Sequence, residues 1–309
     1  MKSTNRRTFL HRTGAFLLAT PFVPSLCSAV EPFKRQGSPR LRLSLAAYSF
    51  RQYFKDTRDR DAKAGAKQID LFDFIDFCAD HGCEGTELTS YYFPKTIDQE
   101  FLVKVRRHAF LRGINISGTA VGNTFTVPEG PKRQSEIATT KKWIDYASVM
   151  GAPHIRIFAG AKPNDLNEND AKKFCISAIE ECAKVAAEKG IFLGLENHGG
   201  IVAEPKRILE IIQAIKSPWV GINLDTANFH TDDPYRDLEL CAPYAVNVQI
   251  KSEIHRRSGS AEPADLKRII NILRKANYQG WVALEYEAKP DPWEEVPRLL
   301  KELRTLLAG

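Results

Sequence analysis

The sequence predicts a single-domain α/β protein, a (β/α)8 TIM barrel, behind an N-terminal signal segment. Three observations carry that expectation. Short apolar runs alternate with amphipathic helical stretches eight times along the chain, and strict strand–helix alternation means a parallel sheet. Glycine recurs just past the helical stretches, at Gly82, Gly113, Gly151, Gly190 and Gly280, where a helix C-terminus favours a left-handed residue. The last four runs end in oxygen donors, Glu196, Asp225, Gln249 and Glu285, as a barrel enzyme with its site at the C-terminal mouth requires. A chain of 309 residues, 43% hydrophobic, holds one large barrel or two ordinary domains. Eight repeats of strand and helix favour the closed barrel over an open doubly wound sheet.

Residues 1–29 stand outside that fold. Arg6 and Arg7 precede an apolar stretch from Ala15 to Val23, then the small-residue site Cys27-Ser28-Ala29. Basic, hydrophobic and small-residue regions in that order make an export signal. The arginine pair followed by Thr8-Phe9-Leu10 resembles a bacterial twin-arginine signal, which implies a periplasmic or otherwise exported protein. The apolar stretch is too short to span a bilayer comfortably, and no later one is long enough, so no stable membrane insertion is expected after cleavage. Cleavage removes Lys2, Arg6, Arg7 and Arg12 and no acids, so four of the six net positive charges leave with the signal. The remaining charge of about +2 gives no reason to expect a nucleic-acid partner. Residues 30–42, with Pro32, Gly37 and Pro39, read as a linker, and residues 43–309 as the barrel.

Taken in order, the first strand spans residues 43–50. At its end stands Tyr48-Ser49-Phe50-Arg51 rather than a glycine-rich phosphate loop, which disfavours a nucleotide-binding open sheet. The second and third strands cover 85–90 and 115–121, and the fourth, 154–159, places His154 and Arg156 on one face. Phe174, Cys175, Ala178, Ile179, Cys182 and Val185 follow the three-four spacing of one buried helical stripe. The fifth strand, 191–197, precedes the stripe Ile208, Leu209, Ile211, Ile212 and Ile215. Strands at 220–226 and 245–251, the stripe Leu266, Ile269, Ile270, Leu273 and Ala276, and a last strand at 281–286 complete the set. Five cysteines follow the signal, an odd number with no dense pattern. They read as core packing rather than a disulfide framework, with a Cys78–Cys83 bridge as the exception to test.

Alternation along a strand fixes which side chains share a face. If Glu196 points into the barrel, so do Gly194 and Phe192, while Leu193 and Leu195 meet the helices. Asn223 then lies under Asp225, Asn247 under Gln249, and Ala283 under Glu285. Burying carboxylates side by side is costly unless a cation neutralises them. An oxygen-rich set suits Mn2+ or Mg2+, with Co2+ and Zn2+ as alternatives.

The segments Gly194-Leu195-Glu196-Asn197-His198, Asn223-Leu224-Asp225-Thr226, Val248-Gln249-Ile250-Lys251 and Ala283-Leu284-Glu285-Tyr286 resemble the xylose-isomerase-like barrels, the sugar phosphate isomerases and epimerases. The resemblance covers residues 43–309. It implies one divalent metal held by Glu196, Asp225, Gln249 and Glu285, with Gln249 in place of the usual histidine. It also implies that Glu196 and Glu285 flank a sugar and shuttle the proton next to its carbonyl through an enediolate. Further substrate contacts are expected from Glu87, His198, Asn228, Lys251 and Arg256. A wall of Tyr48, Tyr91, Tyr92 and Phe93 would lie under the sugar ring. The partner implied is a small sugar, with a homodimer as the assembly some relatives adopt. Export favours free sugars or glycosides over sugar phosphates. The same site would serve a lyase or dehydratase acting on keto-sugars or 3-keto-glycosides, and a non-catalytic carbohydrate-binding protein is the third reading.

Overall fold

The computed structural model describes residues 29–56, 65, 67–257, 259 and 261–309. The expected signal segment lies outside the described residues except for its last position.

Eight parallel strands close into a barrel. They are β1 (Arg40–Ala46), β2 (Gly85–Thr89), β3 (Asn115–Ala120), β4 (His154–Ile157), β5 (Phe192–Glu196), β6 (Val220–Asp225), β7 (Ala245–Ile250) and β8 (Gln279–Leu284). The ring closes where β8 pairs with β1, Leu43 opposite Val282. Outside it lie α1 (Leu71–Asp80), α2 (Gln99–Leu111), α3 (Pro131–Met150), α4 (Glu168–Lys189), α5 (Pro205–Ala214), α6 (Pro234–Cys241), α7 (Leu266–Lys275) and α8 (Pro292–Ala308). A short antiparallel ribbon, Glu253–Ile254 with Glu262–Pro263, stands in the loop after β7.

Local chemistry accounts for the helix ends. Asp70, Asp98, Asn167, Asp233, Asp265 and Asp291 each accept from a first-turn N–H, satisfying donors that a helix N-terminus leaves open. The two helices without such a cap, α3 and α5, begin on proline, whose missing N–H costs nothing there. Gly82, Gly113, Gly151 and Gly190 all take positive φ after their helices, as expected. Gly280 does not, because it lies inside β8; Asn277, at φ 51°, takes the left-handed place after α7. Ile208, Ile211 and Ile212 of α5 and Leu266, Ile269, Ile270 and Leu273 of α7 are buried against the sheet, which is where most helical stabilisation arises.

Boundaries differ from the sequence reading in several places: β4 ends at Ile157 rather than 159, and β8 runs over Gln279–Leu284 rather than 281–286. The first strand ends at Ala46, and Ala47–Phe50 forms a 3-10 turn that buries Ser49 and Phe50. The stretch read as a linker is packed across the N-terminal end of the barrel. The Val30 amide donates to Ile215 O at 3.1 Å, Phe33 to Pro243 O at 3.0 Å, and the Phe33 ring meets Phe192 edge-on at 5.9 Å. The five described cysteines are buried and unpaired, so no Cys78–Cys83 bridge forms. No helix among the described residues is long and apolar enough to cross a membrane.

Candidate active site

Inside the barrel, below its mouth, four polar side chains from three strands form a closed hydrogen-bonded ring. Gln249 Nε2 donates to Glu87 Oε1 at 2.7 Å, and Asn247 Nδ2 donates to Glu87 Oε2 at 2.8 Å. Asn223 Nδ2 donates to Gln249 Oε1 at 2.7 Å and its own Oδ1 accepts from Asn247 at 2.8 Å. All four are buried. The inward facing of Asn223, Asn247 and Gln249 follows from the two-residue strand period, and the ring satisfies groups that would otherwise be costly in the interior. Burial first, and the nearby Glu285 charge second, push the Glu87 carboxyl up to about 7, against the pull of Gln249, Arg156 and Asn247.

One layer higher stand the charged groups. Glu196, at the end of β5, pairs with Arg156 of β4, with Nε 2.9 Å from Oε2. Its other oxygen accepts from Asn228 Nδ2 at 3.0 Å. Asp225 ends β6. Its backbone is gripped from both sides by Asn197, whose Nδ2 donates to Asp225 O and whose Oδ1 accepts from Asp225 N, each at 2.9 Å. Asp225 Oδ1 accepts from the Ala227 amide at 2.8 Å. Lys251, just past β7, lies with Nζ 3.2 Å from Asp225 Oδ2 and 3.1 Å from Glu285 Oε2, and it also pairs with Glu287. Glu285 follows the last residue of β8. Burial raises the proton affinity of Glu196 and Glu285; Arg156 opposes it at Glu196 and Lys251 at Glu285.

Above these groups opens a cavity of about 500 Å3. Glu196, Glu285, Glu287, Lys251, Arg156, His198 and Asn228 supply its polar wall, and Tyr48, Tyr91, Tyr92, Trp143 and Phe158 its aromatic one. Arg156 also lies over the Phe158 ring, 3.8 Å from its centre. Burial first, and the nearby Arg156 charge second, lower the proton affinity of His198.

The sequence candidates divide accordingly. Glu196, Glu285, His198, Asn228 and Lys251 share the cavity wall. Glu87 does not reach it: the residue is fully buried and both its oxygens are taken by ring amides. Arg256 is turned aside, with Nε 2.9 Å from Glu262 Oε1 and Nη1 donating to Asp232 O, because the ribbon in its loop offers a carboxylate nearer than the mouth. Phe93 is buried against Trp143 instead of lining the cavity. Arg156 was not among the sequence candidates; the phase it shares with His154 on the fourth strand is the signal that could have found it. His154 itself is core, its proton affinity pushed down to about 4 by burial. Glu287, one strand period beyond Glu285, went unread.

The expected metal set does not assemble. No three His, Cys, Asp or Glu side chains among the described residues are grouped to hold a metal ion. Gln249 is bonded at both ends of its amide, Glu196 faces Arg156 and Asn228, and the Lys251 ammonium stands between Asp225 and Glu285. Carboxylates that already share a built-in cation are not open ligands, and the residues as arranged do not fit a divalent ion.

Residues 75–303 match the family described as xylose isomerase-like TIM barrel. No curated protein matches the chain in sequence. Among solved structures the fold is similar to a D-psicose 3-epimerase (TM-score 0.71, 15% identity, 87% of this chain and 100% of that one). It is similar to the 3-keto-D-glucoside 4-epimerase of E. coli (TM-score 0.64, 16% identity, 86% and 100%). It is also similar to the IOLI protein, whose structure has a zinc atom bound (TM-score 0.67, 16% identity, 86% and 97%).

Proposed function

We propose, from the premise that the chain belongs to the xylose isomerase-like TIM barrel family, that it is a carbohydrate isomerase or epimerase acting by proton transfer next to a carbonyl. The observation that carries this reading is the pairing at the mouth: Glu196 and Glu285 share one cavity, each beside a cation, Arg156 or Lys251. The aromatic wall suits the apolar face of a sugar ring. The sugar epimerases of similar fold give the substrate class. The resemblance of residues 1–29 to an export signal favours free sugars or glycosides outside the cytoplasm.

In the reaction, one glutamate takes the α C–H proton as a general base while the electron pair moves to the carbonyl oxygen. The enediolate so formed is stabilised by the neighbouring cationic side chains. Return of the proton by the other glutamate on the opposite face gives an epimer; return at the adjacent carbon gives an isomer. Raised proton affinities at both glutamates suit groups that must take and give a proton near neutrality.

A second reading rests on a specific feature. A further cavity of about 420 Å3 shares His198 and Asn228 with the first, which gives room for an aglycone. A keto-glycoside bound across both would make loss of the group β to the carbonyl the outcome of the same proton abstraction. Product analysis separates the two: an epimer or isomer for the first, a released aglycone for the second.

The test is exchange of the substrate α-proton in deuterated water across a panel of ketoses and 3-keto-glycosides. Glu196→Gln and Glu285→Gln should each slow exchange by about 100-fold or more while sugar binding persists. Sugar binding without any exchange in the unaltered protein would make it a binding protein, and full exchange in both variants would remove the two glutamates from the chemistry.

A further inference from the structure

We propose that the Lys251 ammonium takes the place of a divalent cation at this mouth, so that the chain holds its sugar and stabilises the enediolate without a metal. The inference rests on the proton-transfer reading above for its chemistry and on four placements for its geometry. Lys251 Nζ is 3.2 Å from Asp225 Oδ2 and 3.1 Å from Glu285 Oε2, with Glu287 as its third partner. A divalent ion bonded to those same oxygens at about 2.0–2.6 Å would fall in the space Nζ fills. Ammonium and metal therefore exclude one another unless the lysine leaves a pocket in which it is 95% covered, exposing only 5%.

Gln249 closes the second route. Its Oε1 accepts from Asn223 and its Nε2 donates to Glu87. Turning the amide outward toward a metal would break both bonds and leave buried polar groups on Asn223 and Glu87 unpaired, which the interior penalises. Glu196 closes the third, since Arg156 and Asn228 occupy its two oxygens.

The lysine is also placed to act. Its partners Asp225 and Glu285 lie at the strand ends, fixed by the sheet, whereas Glu287 lies on the cavity wall beyond β8 and is half exposed, at 41%. A sugar carbonyl oxygen entering the cavity can displace Glu287 and accept the N–H it releases. When Glu196 or Glu285 removes the α-proton, the electron pair arriving on that oxygen meets a fixed positive charge, and no other reactant is needed. The ammonium supplies charge and a hydrogen bond; it cannot bind two substrate oxygens as a chelate, so orientation falls to Arg156, Asn228 and His198.

The experiment uses the full chain, stripped with a chelator and dialysed, with Mn2+ as the probe. Equilibrium dialysis with metal analysis measures binding directly, and α-proton exchange is followed in parallel with and without Mn2+. The unaltered protein should bind Mn2+ weakly, and Lys251→Met, which removes the charge and keeps the stem, should bind it at least about 100-fold more tightly. Exchange by the unaltered protein should be unchanged by the chelator. Stoichiometric, tight Mn2+ binding by the unaltered protein overturns the proposal, as does exchange that chelation abolishes and Mn2+ restores. If Lys251→Met fails to fold, binding by the unaltered protein decides alone. If no sugar exchanges under either condition, the proton-transfer reading fails separately, and the dialysis result still judges the role of Lys251.

Discussion

Arg156 Nε lies 2.9 Å from Glu196 Oε2, with each side chain no more than 5% exposed. The two come from neighbouring strands, where β4 and β5 pair Arg156 opposite Gly194. Gly194 itself packs against β6, where a Cβ would meet Asn223 Cβ at 3.0 Å. The arginine thus reaches along the strand to the carboxylate two residues on, and with Asn228 it fixes the direction in which Glu196 faces the cavity.

Breaking that pair leaves a charge stranded in the interior. Arg156→Met should cost about 3–5 kcal/mol in denaturant unfolding. Adding Glu196→Gln to the same chain should recover part of the loss, because the uncompensated carboxylate is then gone. Stability of Arg156→Met within about 0.5 kcal/mol of the unaltered protein would falsify the pairing.

Glu87 sets a pH dependence. Its folded value of about 7 stands above the ordinary 4.5 through burial and the Glu285 charge. A carboxyl whose proton affinity rises on folding contributes stability that is fully present below pH 4.5 and lost as pH rises through about 7. The interval of about 2.5 pH units corresponds to about 3 kcal/mol at most. Glu87→Gln should flatten the stability profile between those limits, whatever it does to the absolute value. Superimposable slopes for the two proteins, measured by urea titration at stepped pH, would show that Glu87 does not carry this proton.

Gly118 of β3 is required by contact rather than by backbone conformation. A Cβ there would lie 2.0 Å from His154 Cε1, whereas at Gly113, φ +73°, nothing lies within 4 Å. Gly118→Ala should therefore cost about 1–3 kcal/mol, recoverable in part by His154→Ala, and Gly113→Ala about 1 kcal/mol through φ alone. Thermal unfolding of the three chains checks the order; a harmless Gly118→Ala would contradict the packing.

Asn197 holds the backbone of Asp225 by two hydrogen bonds in opposite directions. Asn197→Ala leaves a buried N–H and a buried C=O unpaired, at about 1–3 kcal/mol each. Because Asp225 Oδ2 is one of the contacts of Lys251, the same change should slow α-proton exchange more than it weakens sugar binding. Equal losses in both would assign Asn197 a purely structural role.

The sequence by itself determined the barrel and the height of the site. Strand phase and helix stripes are local periodicities, and β5 to β8 carry their donors at the mouth because alternation along a strand depends only on neighbouring residues. It also put Glu196 and Glu285 at the ends of their strands, at the same height as Asp225 and Gln249. The partners of those groups were settled only in three dimensions. Gln249 meets Glu87 across 162 residues of chain, and β7 and β2 come opposite one another only when the barrel closes. Whether an amide turns its oxygen to a cation or to Asn223, and whether a lysine at the rim points outward or in between Asp225 and Glu285, depends on which orientation leaves fewest buried groups unsatisfied. That is a property of the assembled interior, and no spacing along the chain encodes it.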